Sequence, residues 1–168
     1  MAKIRKVKLA TLLIVGEGAH EKAFLQHMKL IYDGENNQAV KVDAVSGGSP
    51  IEMIDDTLRK YNHAEYDRKV ILLDGDVTIR QQDRDKARKH KVELIVSEPV
   101  CLEGMLLDVL GHKVPEFSSA ADCKKRLHPL LAGEPTKSVS YAKCFAKDVL
   151  DSTVKEQILR LIKLISNI

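Results

Sequence analysis

The chain has 168 residues, a length that suits one domain with a buried core and no disulfide cross-links. Hydrophobic residues make up 44% and charged residues 30%, which argues against a disordered, collagen-like or disulfide-scaffold protein. The 27 basic and 24 acidic residues leave a formal net charge of only +3, so a nucleic-acid-binding surface would have to be local. With three Phe, four Tyr and no Trp, a protein that stacks single-stranded bases on aromatic rings is disfavoured.

Strand-like and helix-like segments alternate over the first two thirds of the chain. The run LATLLIV at residues 9–15 is continuous and apolar, which is typical of a strand buried on both faces. Ser49 before Pro50 is typical of a helix start, since serine caps helices and proline suits their first residue. In chain order, the predicted elements are strand Lys8–Val15, helix His20–Ile31, strand Val40–Val45, a helix from Pro50, strand Lys69–Leu73, helix Arg80–His90, strand Val92–Val96 and helix Leu102–Leu110.

The last third of the chain has helical patterns and no strand pattern. Helices are predicted over residues 118–131 and 139–150, followed by a last helix that carries Ile158 and Ile162. Repeated strand–helix units predict a parallel sheet with helices on both of its faces. We therefore expect a three-layer, Rossmann-like α/β fold with a mostly parallel four-stranded sheet.

One domain is expected over residues 1–168, with an α/β core at about 8–111 and a helical C-terminal extension at about 112–168. Three widely spaced cysteines without a CxxC pair indicate a reducing compartment, so we expect a cytoplasmic protein. Since no stretch approaches 18 uncharged apolar residues, no membrane span is expected.

Acidic residues follow three of the four predicted strands. Glu17 comes after the first strand, Asp74 and Asp76 after the third, and Glu98 and Glu103 after the fourth. Because parallel strands end at one edge of the sheet, the topology should bring these carboxylates together. Clustered carboxylates repel one another unless a cation neutralises them, and their hard oxygen atoms suit Mg²⁺ or Mn²⁺. Taken alone, Asp-Gly-Asp is also a common turn sequence.

Four segments resemble a known family. Residues 13–25 (LIVGEGAHEKAFL) resemble the first TOPRIM motif, a strand followed by a Glu-Gly turn and a helix, and residues 70–76 (VILLDGD) resemble its second motif. Residues 97–107 (SEPVCLEGMLL) and 141–143 (YAK) are similar to the Ser-x-Pro segment, the helix-opening Glu and the Tyr-x-Lys of the RloB-like TOPRIM group. That group is associated with bacterial restriction and phage-defence loci.

The resemblance implies a nuclease that hydrolyses phosphodiester bonds of nucleic acid with Mg²⁺ or Mn²⁺ in phage defence. Glu17 would be a general acid or base, or a metal ligand, and Asp74 and Asp76 would bind the ion. Glu103 would complete a second metal position, as the corresponding Glu does in TOPRIM nucleases of the overcoming-lysogenisation-defect family. DNA or RNA, other defence-system subunits and a second copy of the chain are the expected partners.

Further polar residues have a functional and a structural interpretation. Glu21 would support the site from behind or interact only with the helix dipole, and Lys143 would stabilise phosphate charge or be an exposed lysine. A basic run after the Asp-Gly-Asp loop would hold a nucleic-acid backbone or be a solvated helix face. Its members are Arg80, Arg84, Lys86, Arg88, Lys89 and Lys91.

The six histidines show no ligand spacing, so we predict that they are surface or core residues. His20 is the exception by position, because it begins a helix beside Glu17. Two other functions stay open. Residues 72–78 (LLDGDVT) resemble the nucleophile loop of haloacid-dehalogenase-type phosphatases, although that loop usually follows the first strand. The chain would otherwise be a non-catalytic TOPRIM-like subunit that binds nucleic acid or regulates a partner.

Overall fold

The computed structural model of the protein describes residues 9–34 and 37–168. Lys8, the first residue of the first predicted strand, lies outside the described residues. The elements of the α/β core are β1 (Ala10–Gly16), α1 (Ala19–Tyr32), β2 (Gln38–Ala44), α2 (Pro50–Lys60), β3 (Arg68–Asp74), α3 (Gln81–Lys89), β4 (Val92–Ser97) and α4 (Leu102–Val109). They are followed by α5 (Ala120–Leu127), α6 (Lys147–Ser152) and α7 (Glu156–Ser166), with 3-10 helices at His128–Leu130 and Ser138–Tyr141.

The four strands form one parallel sheet in the order β2-β1-β3-β4. In the register, Ile14 of β1 lies between Val42 of β2 and Val70 of β3. The predicted three-layer, Rossmann-like α/β fold is confirmed. From β1 the chain moves outward to β2, and from β3 it moves outward in the other direction to β4. The strand order therefore reverses between β1 and β3, and open α/β sheets place ligand sites at such a crevice, beyond the carboxyl ends of the strands.

The sheet is covered on both faces, which explains the continuous apolar runs in the sequence. One set of alternate strand residues packs with α1, α4 and the C-terminal helices, and this set includes Leu12, Ile14, Val70 and Leu72. The other set packs with α2 and α3, and it includes Leu13, Val15, Ile71 and Leu73. All eight side chains are at most 1% exposed. The C-terminal helices thus share the larger core with β1 and α1.

The start of α2 has the predicted cap. The Ser49 hydroxyl accepts a hydrogen bond from the Glu52 backbone N–H at 3.4 Å, and the Glu52 carboxylate accepts one from the Ser49 N–H at 2.7 Å. Pro50 is the first helical residue. This reciprocal arrangement satisfies backbone donors that have no partner within the helix, so local chemistry fixes where α2 begins.

The helix predicted over 139–150 is wrong as one element: a 3-10 helix and a turn precede α6. The rings of Tyr141 and Phe145 both pack on Phe24 of α1, with centroids 5.7 and 6.0 Å away. The Phe145 carbonyl accepts a hydrogen bond from Nε2 of buried His27 at 2.7 Å, instead of bonding within a helix. A contact with α1 therefore ends the helical pattern here.

Within residues 9–34 and 37–168, no helix is both long enough and apolar enough to cross a membrane.

Candidate metal centre at the carboxyl edge of the sheet

The ends of β1 and β3 and the starts of α1 and α4 meet at the switch point of the sheet. Glu17 directly follows β1, and Asp74 is the last residue of β3. Glu21 lies in the first turn of α1, and Glu103 lies in the first turn of α4. A side chain at Gly16 would collide with Glu21, so glycine lets α1 begin directly against the end of β1.

These acids are withdrawn from solvent to different extents. Glu103 is 2% exposed and Glu21 is 8% exposed, whereas Glu17 and Asp74 are partly buried and Asp76 is exposed. A Cβ atom added to Gly47 would lie 3.0 Å from Oε1 of Glu17, so the loop after β2 lies close against this carboxylate. The cluster thus extends from the buried Glu103 and Glu21 to the exposed Asp76.

Burial and neighbouring carboxylates raise the pKa values of Glu17, Asp74 and Glu21. Burial raises the pKa of Glu17 to about 7, with further contributions from the charges of Asp74 and Asp76 and from a hydrogen bond with Asp74. Burial also raises the pKa of Asp74 to about 6, followed by repulsion from Glu21, Glu103 and Asp76. Burial and the charges of Glu103 and Glu17 raise the pKa of Glu21. Each of the five predicted acidic site residues therefore interacts with at least one other member of the cluster.

Favourable contacts offset part of this repulsion. The Leu102 backbone N–H donates to Oδ1 of Asp74 at 3.2 Å, which lowers the pKa of Asp74. The charge of Lys124 on α5 lowers the pKa of Glu17, but its influence is smaller than those that raise it. The cluster therefore keeps an excess of negative charge, and its oxygen donors suit a hard divalent cation such as Mg²⁺ or Mn²⁺.

Two histidines contact Glu103, and their pairing was missed from the sequence. Nδ1 of His20 lies 3.1 Å from Oε1 of Glu103, and Nε2 of His128 lies 3.3 Å from the same oxygen. The two imidazole rings meet edge to face at 5.0 Å. Both side chains are 27% exposed, so neither is a core residue. The position of His20 beside Glu17 in the sequence indicated that His20 could lie at the site. His128 contacts Glu103 only because α5 packs on α4, which the sequence did not indicate.

Lys143, the predicted phosphate-binding residue, is exposed in the turn after the second 3-10 helix. The lysine whose charge acts on Glu17 is instead Lys124, which lies one residue after Cys123 in α5. Because Cys123 is buried, the packing of α5 against α4 determines where Lys124 lies. No sequence motif marks this lysine.

The basic run is not gathered at the acidic edge. Helix α3 begins after β3 and runs back to the start of β4, where Val92 pairs with Lys69 at the start of β3. Lys89 and Lys91 therefore lie toward the opposite edge, and Arg80 and Arg84 belong to the end nearer the carboxylates. Some members are in ion pairs, namely Arg80 with Asp83, Lys86 with Asp55 and Arg88 with Asp85.

Fold and site together define an open α/β protein with an acidic cluster at the switch point of its sheet. Comparison with family models, with curated proteins and with solved structures gave no match to this chain. The similarity to TOPRIM domains therefore stays a prediction from the sequence motifs.

Proposed function

We propose that the protein is a nuclease that hydrolyses phosphodiester bonds of DNA or RNA with Mg²⁺ or Mn²⁺. The observation that carries the proposal is the convergence of Glu17 and Asp74, whose pKa values are raised to about 7 and about 6 by burial and neighbouring carboxylates. Such a site favours the binding of a cation, because the cation removes the repulsion. Perturbed carboxylates of this kind are frequent in active sites.

In this proposal Asp74 and Asp76 hold the ion, which would supply Lewis-acid stabilisation of the charge on the phosphate. Glu17 lies beside Asp74 and would accept a proton from the attacking water. A positive charge at Asp74 lowers the pKa of Glu17 toward its ordinary range, which favours the ionised form that a general base needs. The negative charge of Glu21, which repels Asp74, would help to attract the ion to the site.

The substrate class rests on the charges around the cluster. Arg80 and Arg84 are exposed at the start of α3, directly after the loop that carries Asp76. Lys124 adds a positive charge close to Glu17. These side chains would contact phosphates on either side of the bond that is cleaved. A role in bacterial phage defence, inside the cell, follows from the similarity to the RloB-like group and is part of the same proposal.

The test is a cleavage panel of single- and double-stranded DNA and RNA with Mg²⁺, with Mn²⁺ or with a chelator. Glu17→Gln and Asp76→Asn should each lower the rate by about 100-fold or more, because one removes the proton acceptor and the other an ion ligand. Glu65→Gln is the matched control, since Glu65 is an exposed acid in a cleft at the opposite edge of the sheet.

Activity that survives both site substitutions would refute the catalytic assignment. Cleavage of no substrate by a protein that binds the ion would favour the non-catalytic subunit. A covalent phosphate trapped on Asp74 would favour the phosphatase.

A further inference from the structure

Three potential metal ligands from three separate elements meet next to the acidic cluster. His20 comes from the first turn of α1, Glu103 from the first turn of α4, and His128 from the 3-10 helix after α5. The ligand atoms of the three residues all lie within 4.8 Å of one another. The two nitrogen-to-oxygen distances are 3.1 and 3.3 Å. In a tetrahedral zinc site with bonds of about 2.0–2.1 Å, neighbouring ligand atoms are separated by about 3.3 Å.

Glu103 has an unusual environment for a carboxylate. Its side chain is 2% exposed, and its Oε2 atom has no hydrogen-bond partner among the residues that the structure describes. Buried carboxylates are normally ion-paired, hydrogen-bonded or bound to a metal, since an unsatisfied charge is costly. Hydrogen bonds from the two histidines satisfy Oε1 alone. A metal ion beside Glu103 would neutralise the whole carboxylate.

The other neighbours of Glu103 add no positive charge. Cys101, Cys123 and Tyr141 are buried near Glu103, and a thiol or a phenol carries no positive charge in either protonation state. On the side of the acidic cluster, the negative charge of Glu103 repels those of Asp74 and Glu21. Among the described residues, the ion pairs of Glu103 are those with the two imidazoles, and a bound ion would add further positive charge.

The donor set selects the kind of ion. Two imidazole nitrogens and one carboxylate oxygen are a common set for Zn²⁺ with one open position, whereas Mg²⁺ prefers oxygen ligands alone. The two histidine side chains are 27% exposed, so the open position can face solvent. We infer that His20, Glu103 and His128 form a transition-metal site of the Zn²⁺ type, separate from the oxygen-ligand site at Asp74 and Asp76. This inference goes beyond the proposed function, because it requires no cleavage of nucleic acid.

The test is titration of the purified, metal-stripped protein with Co²⁺, a coloured substitute for Zn²⁺, followed by Zn²⁺ competition. The wild type should bind one Co²⁺ at this site with the intense visible absorption of four-coordinate cobalt and no thiolate-to-cobalt charge transfer. His128→Ala and His20→Gln should each weaken binding by about 100-fold, because each removes one of three ligands. His112→Ala, at an exposed histidine, should bind like the wild type.

Two further measurements distinguish the loss of a metal ligand from unfolding and from an effect of the neighbouring acidic site. Circular dichroism should show that His128→Ala keeps the fold, with His20→Gln as the milder second variant. Asp76→Asn should keep the Co²⁺ absorption, because Asp76 belongs to the other site. Absence of the absorption in the wild type, unchanged affinity in both histidine variants, or loss of binding in Asp76→Asn alone would overturn the inference. A protein that keeps this Co²⁺ site but cleaves no nucleic acid would disprove only the proposed nuclease activity.

Discussion

Asp43 and Asp74 lie at the carboxyl ends of two strands of the same sheet, and the protein treats their charges in opposite ways. Burial alone would raise the pKa of Asp43, but hydrogen bonds from Lys60, Tyr61 and the Ala44 backbone N–H hold it well below its usual range. Nζ of Lys60 lies 2.7 Å from the carboxylate, and the Ala44 nitrogen lies 2.8 Å from it. The fold supplies this acid with its own positive charge and donors.

Asp74 has no comparable compensation. It accepts one backbone hydrogen bond, from the Leu102 N–H, and its side-chain partner is another acid, Glu17. Glu21, Glu103 and Asp76 all raise its pKa. At the same edge of the sheet, Asp43 thus has a lysine and several hydrogen-bond donors as partners, whereas Asp74 has mainly other carboxylates. The proposed cation site at Asp74 rests on this difference, because a bound cation would supply the positive charge that Asp43 receives from Lys60.

The largest expected contrast is in catalysis. Asp74→Asn should lower metal-dependent cleavage by about 100-fold, because the amide is a weaker ligand and carries no charge. At temperatures below the melting temperature of the variant, Asp43→Asn should cleave at a rate within about threefold of the wild-type rate. The reason is that hydrogen bonds and an ion pair within the protein already compensate the charge of Asp43. Initial rates at several Mn²⁺ concentrations measure both. Equal losses in the two variants would contradict the separation of the two acids.

The second contrast is in stability. Asp43→Asn should lower the free energy of unfolding by about 1–3 kcal/mol, because Lys60 and Tyr61 lose a charged acceptor near the end of β2. Urea denaturation of the metal-free protein measures this cost. Asp56→Asn serves as the control, because its ion pair with Arg59 is exposed and should contribute little. The same small effect in both variants would show that Lys60 and Tyr61 do not stabilise the ionised Asp43 carboxylate.

The third contrast is in pH dependence without metal. The pKa of Glu17 is raised from 4.5 to about 7 and that of Asp74 from 3.8 to about 6. The folded state therefore binds more protons than the unfolded state in this range, and its stability falls as the pH rises from about 4 to about 7. The lowered pKa of Asp43 makes the opposite contribution, which is lost only in stronger acid.

The size of this effect should be about 1–2 kcal/mol, after allowance for solvent screening at partly exposed groups. Denaturation curves at a series of pH values measure it, and saturating Mg²⁺ should flatten the dependence. A metal-free protein that becomes more stable over the same range would rule out the proposed electrostatics.

The smallest contrast is a gain in stability. Glu17→Gln should raise the free energy of unfolding of the metal-free protein by about 1 kcal/mol at neutral pH, because the neutral amide no longer repels Asp74 and Asp76. Thermal and urea unfolding measure the change. Added Mg²⁺ should stabilise the wild type more than this variant. A loss of stability in Glu17→Gln would mean that the ionised carboxylate has a structural partner.

The sequence predicted the features that depend on local pattern. Continuous apolar runs identified β1 and β3, because both of their faces are buried, and Ser49 with Pro50 marked the start of α2. The placement of Glu17 and Asp74 at one edge followed from the parallel topology.

Features that depend on contacts between distant segments were not predictable. The break before α6 is caused by His27, which is 118 residues away from Phe145 in the chain. The contact of His128 with Glu103 depends on how α5 packs on α4, and no spacing rule encodes it. The partners of Asp43 likewise come from α1 and from the end of α2. One sequence carries no direct signal for such packing.

The most direct test of the acidic cluster is calorimetric titration of Mn²⁺ into the wild type, Asp74→Asn and Asp43→Asn at neutral pH. The wild type and Asp43→Asn should bind the ion with similar affinity, and Asp74→Asn should bind it about 100-fold more weakly or not at all. No binding by the wild type, or unchanged binding by Asp74→Asn, would show that the carboxylates at the switch point are not a cation site.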